Sequence, residues 1–535
     1  MAGYEYKPFE YDRPPGLTGS EPRHQVIIVG AGPIGLAMAI DFALRGVKTV
    51  VLDDNNVVSV GSRAICWSKR TLEIFDRLGV GERMLEKGVT WKVGRLFHRD
   101  REVYNFDLLP EEGHKYPAFI NLQQYYVEQY LVERTRDFPG LIDIRFKNKV
   151  VNHIDHGEHV EITIETPDGN YNLECDYLIA CDGAGSSTRA RMNLPFEGHT
   201  FEEHFLIVDV EMEESPFETE VAERWFWFEP PFHPGQSALL HKQPDNLYRI
   251  DLQLGPETDP QEEATKEKVL PRIRAIIGEK PFKLDWMSVY KFRCAKLERF
   301  LHNRVIFVGD SAHVVSPFGA RGGNGGIQDV DNLGWKLAEV LDGGSSTRLL
   351  QTYSEERCHG SAENILNSTR ATNFMTPKSE IEHRFRNEVL NLAADHTFAR
   401  KLINSGRLSV PCSLEKFDLQ TPGPGKLTSG NAVIDVPLKD GRWLIEILQG
   451  EFMLVGFGHI EVPEIEGLKR IGVGQKNDDY LCVEPLGSTV FDRYGEESLY
   501  LMRPDGHVAA SFDKPDPASI RDAYKRAMAA YKDTG

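Results

Sequence analysis

The feature that most constrains this chain is Gly30-Ala31-Gly32-Pro33-Ile34-Gly35, set between the apolar run Val26-Ile27-Ile28-Val29 and an Ala/Leu-rich segment. A second apolar run, Thr49-Val50-Val51-Leu52, closes a strand–turn–helix–strand pattern. A G-x-G-x-x-G motif carries little weight alone, but this context gives it a mechanism. The first glycine permits the turn, the second lets backbone approach a pyrophosphate, and the third lets helix pack on strand. The helix N-terminus adds partial positive charge. Asp53 ends the second strand, where a carboxylate accepts hydrogen bonds from ribose hydroxyls. Gly30, Ala31, Gly32, Pro33, Ile34, Gly35 and Asp53 therefore form a candidate dinucleotide site, with FAD and NAD still open.

Two more apolar strands end in Asp/Gly. One is Tyr177-Leu178-Ile179-Ala180-Cys181-Asp182-Gly183, followed by Ala184 to Arg189; the other is Arg304-Val305-Ile306-Phe307-Val308-Gly309-Asp310. Pro317-Phe318-Gly319-Ala320-Arg321-Gly322-Gly323-Asn324-Gly325-Gly326-Ile327-Gln328-Asp329 then opens a helix. Together these segments resemble the fingerprints of the single-component (class A) FAD-dependent aromatic hydroxylases, the family containing para-hydroxybenzoate hydroxylase, phenol hydroxylase and 3-(3-hydroxyphenyl)propionate hydroxylase. The match departs chiefly at Arg321 and Gly323, where relatives often carry Gln and Met. By this resemblance Asp182 and Asp310 hold FAD, and backbone at Gly322, Gly323 and Asn324 reaches the flavin ring. Glycines there bring N–H groups close, and the helix start favours an anionic reduced ring.

The resemblance extends to Gly61-Ser62-Arg63-Ala64, which places Arg63 beside the pyrophosphate, to Gln124 as a flavin contact and to Val151 as a backbone partner of adenine. Near the end, Arg503-Pro504-Asp505-Gly506-His507-Val508-Ala509 is similar to the R-P-D-G-x-V-A signature of members with a thioredoxin-like third domain. That domain has no CxxC pair, so its implied role is packing or dimerisation into a homodimer. The implied fold is α/β: a Rossmann-like FAD-binding domain of the para-hydroxybenzoate hydroxylase type, an inserted β-sheet substrate domain and a C-terminal thioredoxin-like domain. The expected division is a tail over 1–23 and FAD-binding residues 24–200 with a short substrate insertion near 92–120. A substrate sheet over 201–300, FAD-binding residues and helices over 301–405, a linker over 406–430 and the third domain over 431–535 complete it.

The implied activity is hydroxylation of an aromatic, phenolic small molecule with NADH or NADPH and dioxygen, through a flavin C4a-hydroperoxide. Pro317, Phe318, Trp225 and Arg249 are the candidate substrate wall. Arg249 either binds a substrate carboxylate or pairs with an acidic neighbour. The segment Arg63 to Lys69 offers no carboxylate base, and the catalytic base stays unassigned. Two alternatives remain: a non-catalytic FAD protein, and a flavin-dependent halogenase, because Trp225-Phe226-Trp227-Phe228-Glu229-Pro230 is similar to a W-x-W-x-I-P box with Glu229 in place of isoleucine.

Bulk properties narrow the partners. A chain of 535 residues exceeds one hydrophobic core, and a formal charge of −19 argues against nucleic acid and anionic membranes. No apolar run is long enough to span a bilayer and the first residues lack a signal sequence's apolar centre, so a cytoplasmic enzyme is expected. The seven scattered cysteines fit a reducing compartment. His153, His156 and His159 fall on a strand–turn–strand pattern and read as hairpin decoration, so no metal site is assigned.

Overall fold

In the computed structural model, which describes residues 4–61, 64–109, 111–217, 221–255, 258–403, 409–514 and 516–530, β1 (His24–Val29), α1 (Pro33–Leu44) and β2 (Thr49–Leu52) come first. Val26, Ile27 and Ile28 are wholly buried, as a parallel strand covered on both faces requires. Pro33 starts α1, its fixed φ suiting the first turn and its missing N–H leaving no donor unbonded there. A Cβ at Gly35 would lie 1.9 Å from the Gly30 carbonyl oxygen. Only glycine lets α1 sit this close to the turn.

Next in order are α2 (Lys69–Arg77), β3 (Val93–His98), β4 (Arg101–Asp107), α3 (Gln124–Thr135), β5 (Ile142–Arg145) and β6 (Gly169–Ala180). They are followed by β7 (Glu197–Glu211), β8 (Glu223–Phe228), β9 (Ser237–Lys242), β10 (Leu247–Leu254), α4 (Lys266–Ile277) and β11 (Lys283–Lys296). Then come β12 (Val305–Phe307), α5 (Gly322–Leu341) and α6 (Arg348–Met375).

The first eight-stranded sheet runs Leu301–His302, β12, β6, β1, β2, β5. Pairing is parallel from β12 through β5, and the hairpin Lys149–Asp155/Val160–Thr166 extends from β6. The mostly parallel order brings the carboxyl ends of β1, β6 and β12 to one edge, where ligands bind in such sheets. The second eight-stranded sheet runs His313–Val314, β11, β7, β10, β9, β8, β3, β4. Only β8 and β3 pair in parallel. α4 covers one face, with Val269, Ile273 and Ile277 recurring every fourth residue against Leu206, Val208 and Ile250. The opposite face turns to the loop before α5.

A third unit holds β13 (Met453–Phe457), β14 (Lys469–Val473), β15 (Leu481–Val483), β16 (Ser498–Met502) and β17 (Val508–Phe512). Their order is β15, β14, β13, β16, β17, the first three parallel and the last two antiparallel. Within the stretch expected as a linker, Leu414, Leu419 and Leu427 are buried. A Cβ on Gly423 would meet the Ser511 carbonyl oxygen at 2.1 Å. The described part of this stretch, residues 409–430, is packed against the third unit. The tail expected over 1–23 also packs: Tyr4 lies 4.3 Å from Tyr125 between ring centroids, and Phe9 stacks on Phe146 at 4.5 Å. Among the described residues, no helix is long and apolar enough to cross a membrane.

Candidate active site

Hydrogen bonds between loops hold the strand ends together. Gly30 N–H donates to Leu52 O (2.7 Å), Cys181 N–H to Val29 O (2.8 Å) and Val308 N–H to Ala180 O (3.1 Å). The Ser311 hydroxyl donates to Ala180 O at 2.6 Å, and the Arg189 guanidinium donates to Ser311 O at 2.8 Å and Ala184 O at 2.6 Å. Around these ends opens a cleft of about 610 Å³. Asp53 Oδ2 accepts from Ala31 N–H at 2.6 Å, so this carboxylate first fixes the glycine turn. Its burial outweighs the bonds from Ala31 and Asn55 and raises its pKa.

The cleft's residues fit a dinucleotide. A Cβ built on Gly32, Gly183 or Gly185 meets nothing within 4 Å, so backbone there is bare toward the cleft. Asp182 uses Oδ2 to accept Thr188 N–H at 2.9 Å, while its buried Oδ1 has no protein partner. An acceptor in that position is left for a ligand hydroxyl. Gly30, Gly32, Pro33, Ile34, Asp53, Gln124, Asp182, Asp310 and Gly323 all line the cleft. Ala31 and Gly35 serve the turn itself. Val151 does not line it; Asn148, Lys149 and Val150, just upstream, do. Arg63 lies outside the described residues.

Sequence reasoning passed over Ser59, Trp67 and Glu128, which also border the cleft. Gln124 accepts from Ala64 N–H at 3.3 Å and donates to Glu128 at 2.7 Å and to Ser59 Oγ at 2.8 Å. Glu128 accepts in turn from Ser59 N–H at 2.5 Å, and burial raises its pKa. The spacing of Gln124 and Glu128, four apart on α3, was the available signal.

The loop before α5 forms the wall between this cleft and a second cavity. Gly319 and Ala320 have φ of 94° and 50°, which turns the loop back before the helix starts. Asn324 pins it to the neighbouring strand, accepting Ser68 N–H at 2.9 Å and donating to Cys66 O at 2.9 Å. Beneath it, the fully buried Asp329 accepts from Gly309 N–H (3.0 Å), bonds His313 Nε2 (2.7 Å) and accepts from Arg357 Nε (2.6 Å). Burial opposes its charge, but His313 and Arg357 win and hold its carboxyl below the usual range. The 20-residue α5 thus directs its N-terminal N–H groups at the junction.

The second cavity, about 350 Å³, is lined by Pro317, Phe318, Gly322, Gly323 and Asn324 on the loop side. Ala64, Asp310 and Gly323 border both spaces. Its other wall is the sheet face opposite α4. Cross-strand register sets Arg224 (β8), His241 (β9), Arg249 (β10) and Asp209 (β7) in one row. Asp251 follows on the same face, opposite Leu239. Arg249 Nε donates to Asp209 at 3.2 Å, so this buried arginine both pairs with a carboxylate and lines the cavity. His241 Nε2 lies 3.4 Å from Asp251 Oδ2. Burial, with Arg224 adding to it, pushes His241 down to about 4. For Asp251 burial works the other way, yet His241, Arg249 and Arg224 together hold its pKa low.

Trp225 stands apart from this wall. Side chains alternate along β8, so Arg224 faces the cavity while Trp225 and Trp227 pack into the core under α4. The Trp225 indole N–H donates to Glu223 at 2.7 Å. The W-x-W pattern is therefore core packing, and the halogenase alternative loses its anchor. In the histidine-bearing hairpin, His153 Nδ1 accepts from Arg191 at 3.2 Å, and His156 stacks on His159 with centroids 4.7 Å apart.

Comparison with known proteins agrees with this geometry. The family described as FAD binding domain matches residues 23–368. A flavin-dependent monooxygenase of Mycobacteroides abscessus is 28% identical over 90% of this chain and 96% of its own. A 3-(3-hydroxy-phenyl)propionate/3-hydroxycinnamic acid hydroxylase of Klebsiella pneumoniae is 27% identical over 81% of this chain and 78% of its own. The crystal structure of the flavin-dependent monooxygenase PieE with FAD and substrate superposes with a TM-score of 0.80, at 19% identity, over 96% of this chain and 100% of that one.

Proposed function

Because this chain belongs to the FAD-binding-domain family, we propose that it is an FAD-dependent monooxygenase that hydroxylates a compact aromatic, phenolic compound with NADH or NADPH and dioxygen. The observation that carries this reading is the shared border of the two cavities at Ala64, Asp310 and Gly323. A cofactor in the cleft and an aromatic in the cavity would meet there. The relatives named as aromatic hydroxylases support the same reaction class.

Bound FAD supplies electron transfer from the nicotinamide to dioxygen, one oxygen atom entering the ring and the other leaving as water. The chain's own residues do the rest. Gly30, Gly32 and the start of α1 would hold the pyrophosphate, Asp53 and Asp182 would accept hydrogen bonds from its sugar hydroxyls, and Asp310, which borders both spaces, would hold the cofactor toward the second cavity. Backbone N–H groups at the start of α5 would stabilise negative charge on a reduced flavin held there. Phe205, Phe292 and Phe318, with centroids 5.0 to 5.9 Å apart, give the cavity an aromatic wall that excludes water. A volume of about 350 Å³ lies at the small end of ligand cavities and favours one or two rings.

The test is a stoichiometry. Purified protein is expected to release FAD on denaturation, and a panel of phenols is expected to raise NAD(P)H oxidation with hydroxylated product matching the nicotinamide consumed. Protein that refolds with FAD yet yields only peroxide with every aromatic tried would refute the hydroxylase reading.

A further inference from the structure

We propose that His241 takes the hydroxyl proton of a phenolic substrate, with Asp251 behind it and Arg224 holding the resulting oxyanion. The proposal deepens the monooxygenase reading and rests on it. His241 is only 2% exposed, yet both of its ring nitrogens and the Oδ1 atom of Asp251 are buried without a hydrogen-bond partner. Nε2 faces Asp251 Oδ2 at 3.4 Å, and buried polar atoms are almost always bonded, so the two atoms left over on this cavity wall, His241 Nδ1 and Asp251 Oδ1, mark a place that a ligand fills.

The wall is rigid, because the three groups sit on paired strands. β9 puts His241 directly between Arg224 of β8 and Arg249 of β10. Arg249 is committed to Asp209, whereas Arg224 is seated over the Trp91 ring at 5.6 Å with no carboxylate bonded to it among the described residues. Cys66, also on the cavity, has its thiol raised by burial and its Sγ 3.2 Å from Asn121 Oδ1, so it does not compete as a base.

With Nε2–H turned to Asp251, His241 Nδ1 keeps a lone pair. The phenol O–H bond breaks, the proton moves to Nδ1 and the electron pair stays on oxygen. Burial and Arg224 hold His241 low while the cavity is empty; with the phenolate on Arg224 and the imidazolium facing the Asp251 carboxylate, each new charge meets its opposite, and the ion pair is favoured where the lone imidazolium is not. Negative charge on the oxygen enriches the ring carbons ortho and para to it, which prepares them for attack on an electrophilic oxygen. The proton returns as product leaves.

The experiment uses 4-nitrophenol, whose phenolate is yellow and whose phenol is colourless, titrated into oxidised FAD-loaded protein without nicotinamide. At a pH below the phenol's own ionisation, wild-type protein is expected to bind it as phenolate. His241→Gln at equal FAD content is expected to bind it as colourless phenol, and Asp251→Asn to give at least tenfold less phenolate. Product formation by His241→Gln should recover as rising pH ionises the substrate unaided. Colourless nitrophenol on wild type, equal yellow on His241→Gln, or no binding of the nitrophenol overturns the assignment. Because no turnover is required, these outcomes are distinct from failure of the monooxygenase reading, which NAD(P)H consumption reports.

Discussion

His241 shows how one buried side chain couples the cavity to stability. Its pKa falls from the ordinary 6.5 to about 4 through burial and Arg224, so the unfolded chain binds its proton first as pH drops. A depressed histidine therefore contributes stability above pH 6.5 that is lost on the way down to about 4. Asp251, also depressed, titrates below this window. Urea unfolding of FAD-loaded protein at pH 7 and pH 5 should show wild type losing up to about 2 kcal/mol more than His241→Gln. Parallel losses would mean that His241 is not held neutral. The sequence did not mark this residue, because a histidine inside Leu239-Leu240-His241-Lys242 has no motif around it. The fingerprint residues were legible because their chemistry is local: each aspartate or glycine acts within its own turn.

At the scale of elements, strand positions were legible but facing was not. The run Thr49 to Leu52 matches β2 residue for residue, and Val26 to Val29 lies within β1. Yet Trp225, a wall candidate by sequence, packs into the core, and Arg224 takes the cavity face. Side chains alternate with period two, and β8 carries aromatic residues on both faces, so hydrophobicity could not say which face looks inward. The glycine turn allows a sharper test, because its glycines do different work. Gly35→Ala forces a Cβ to within 1.9 Å of Gly30 O, whereas the Cβ of Gly32→Ala meets nothing within 4 Å of protein. Gly32→Ala apoprotein should unfold within about 0.5 kcal/mol of wild type but lose FAD. Gly35→Ala should lose stability even without cofactor. Equal stabilities of the two apoproteins would contradict the division.

Across the whole molecule, the R-P-D-G signature is explained by charge. Arg503 bonds Glu356 of α6 through both terminal nitrogens, at 2.8 and 2.9 Å, and Asp505 at 2.5 and 3.0 Å. Glu356 also bonds Lys336 at 2.7 Å. Asp505 accepts from Trp335 Nε1 at 3.3 Å, and its backbone carbonyl accepts from Arg70 at 2.6 Å. The motif thus docks the third unit on α5 and α6, a role no single segment could reveal because its partners lie 147 and 435 residues away. Glu356→Gln leaves Arg503 and Lys336 buried without their shared anion, at a cost of about 3 to 5 kcal/mol. The loss should appear first as proteolysis between residues 431 and 530, since α5 is also pinned at its other end by Asn324 and Asp329. FAD affinity should change less than threefold, because every residue lining the cofactor cleft precedes α6. Measuring the urea midpoint, the cleavage pattern and FAD dissociation on the same variant separates the cases. Loss of FAD in step with loosening of the third unit would show instead that docking reaches the flavin through α5.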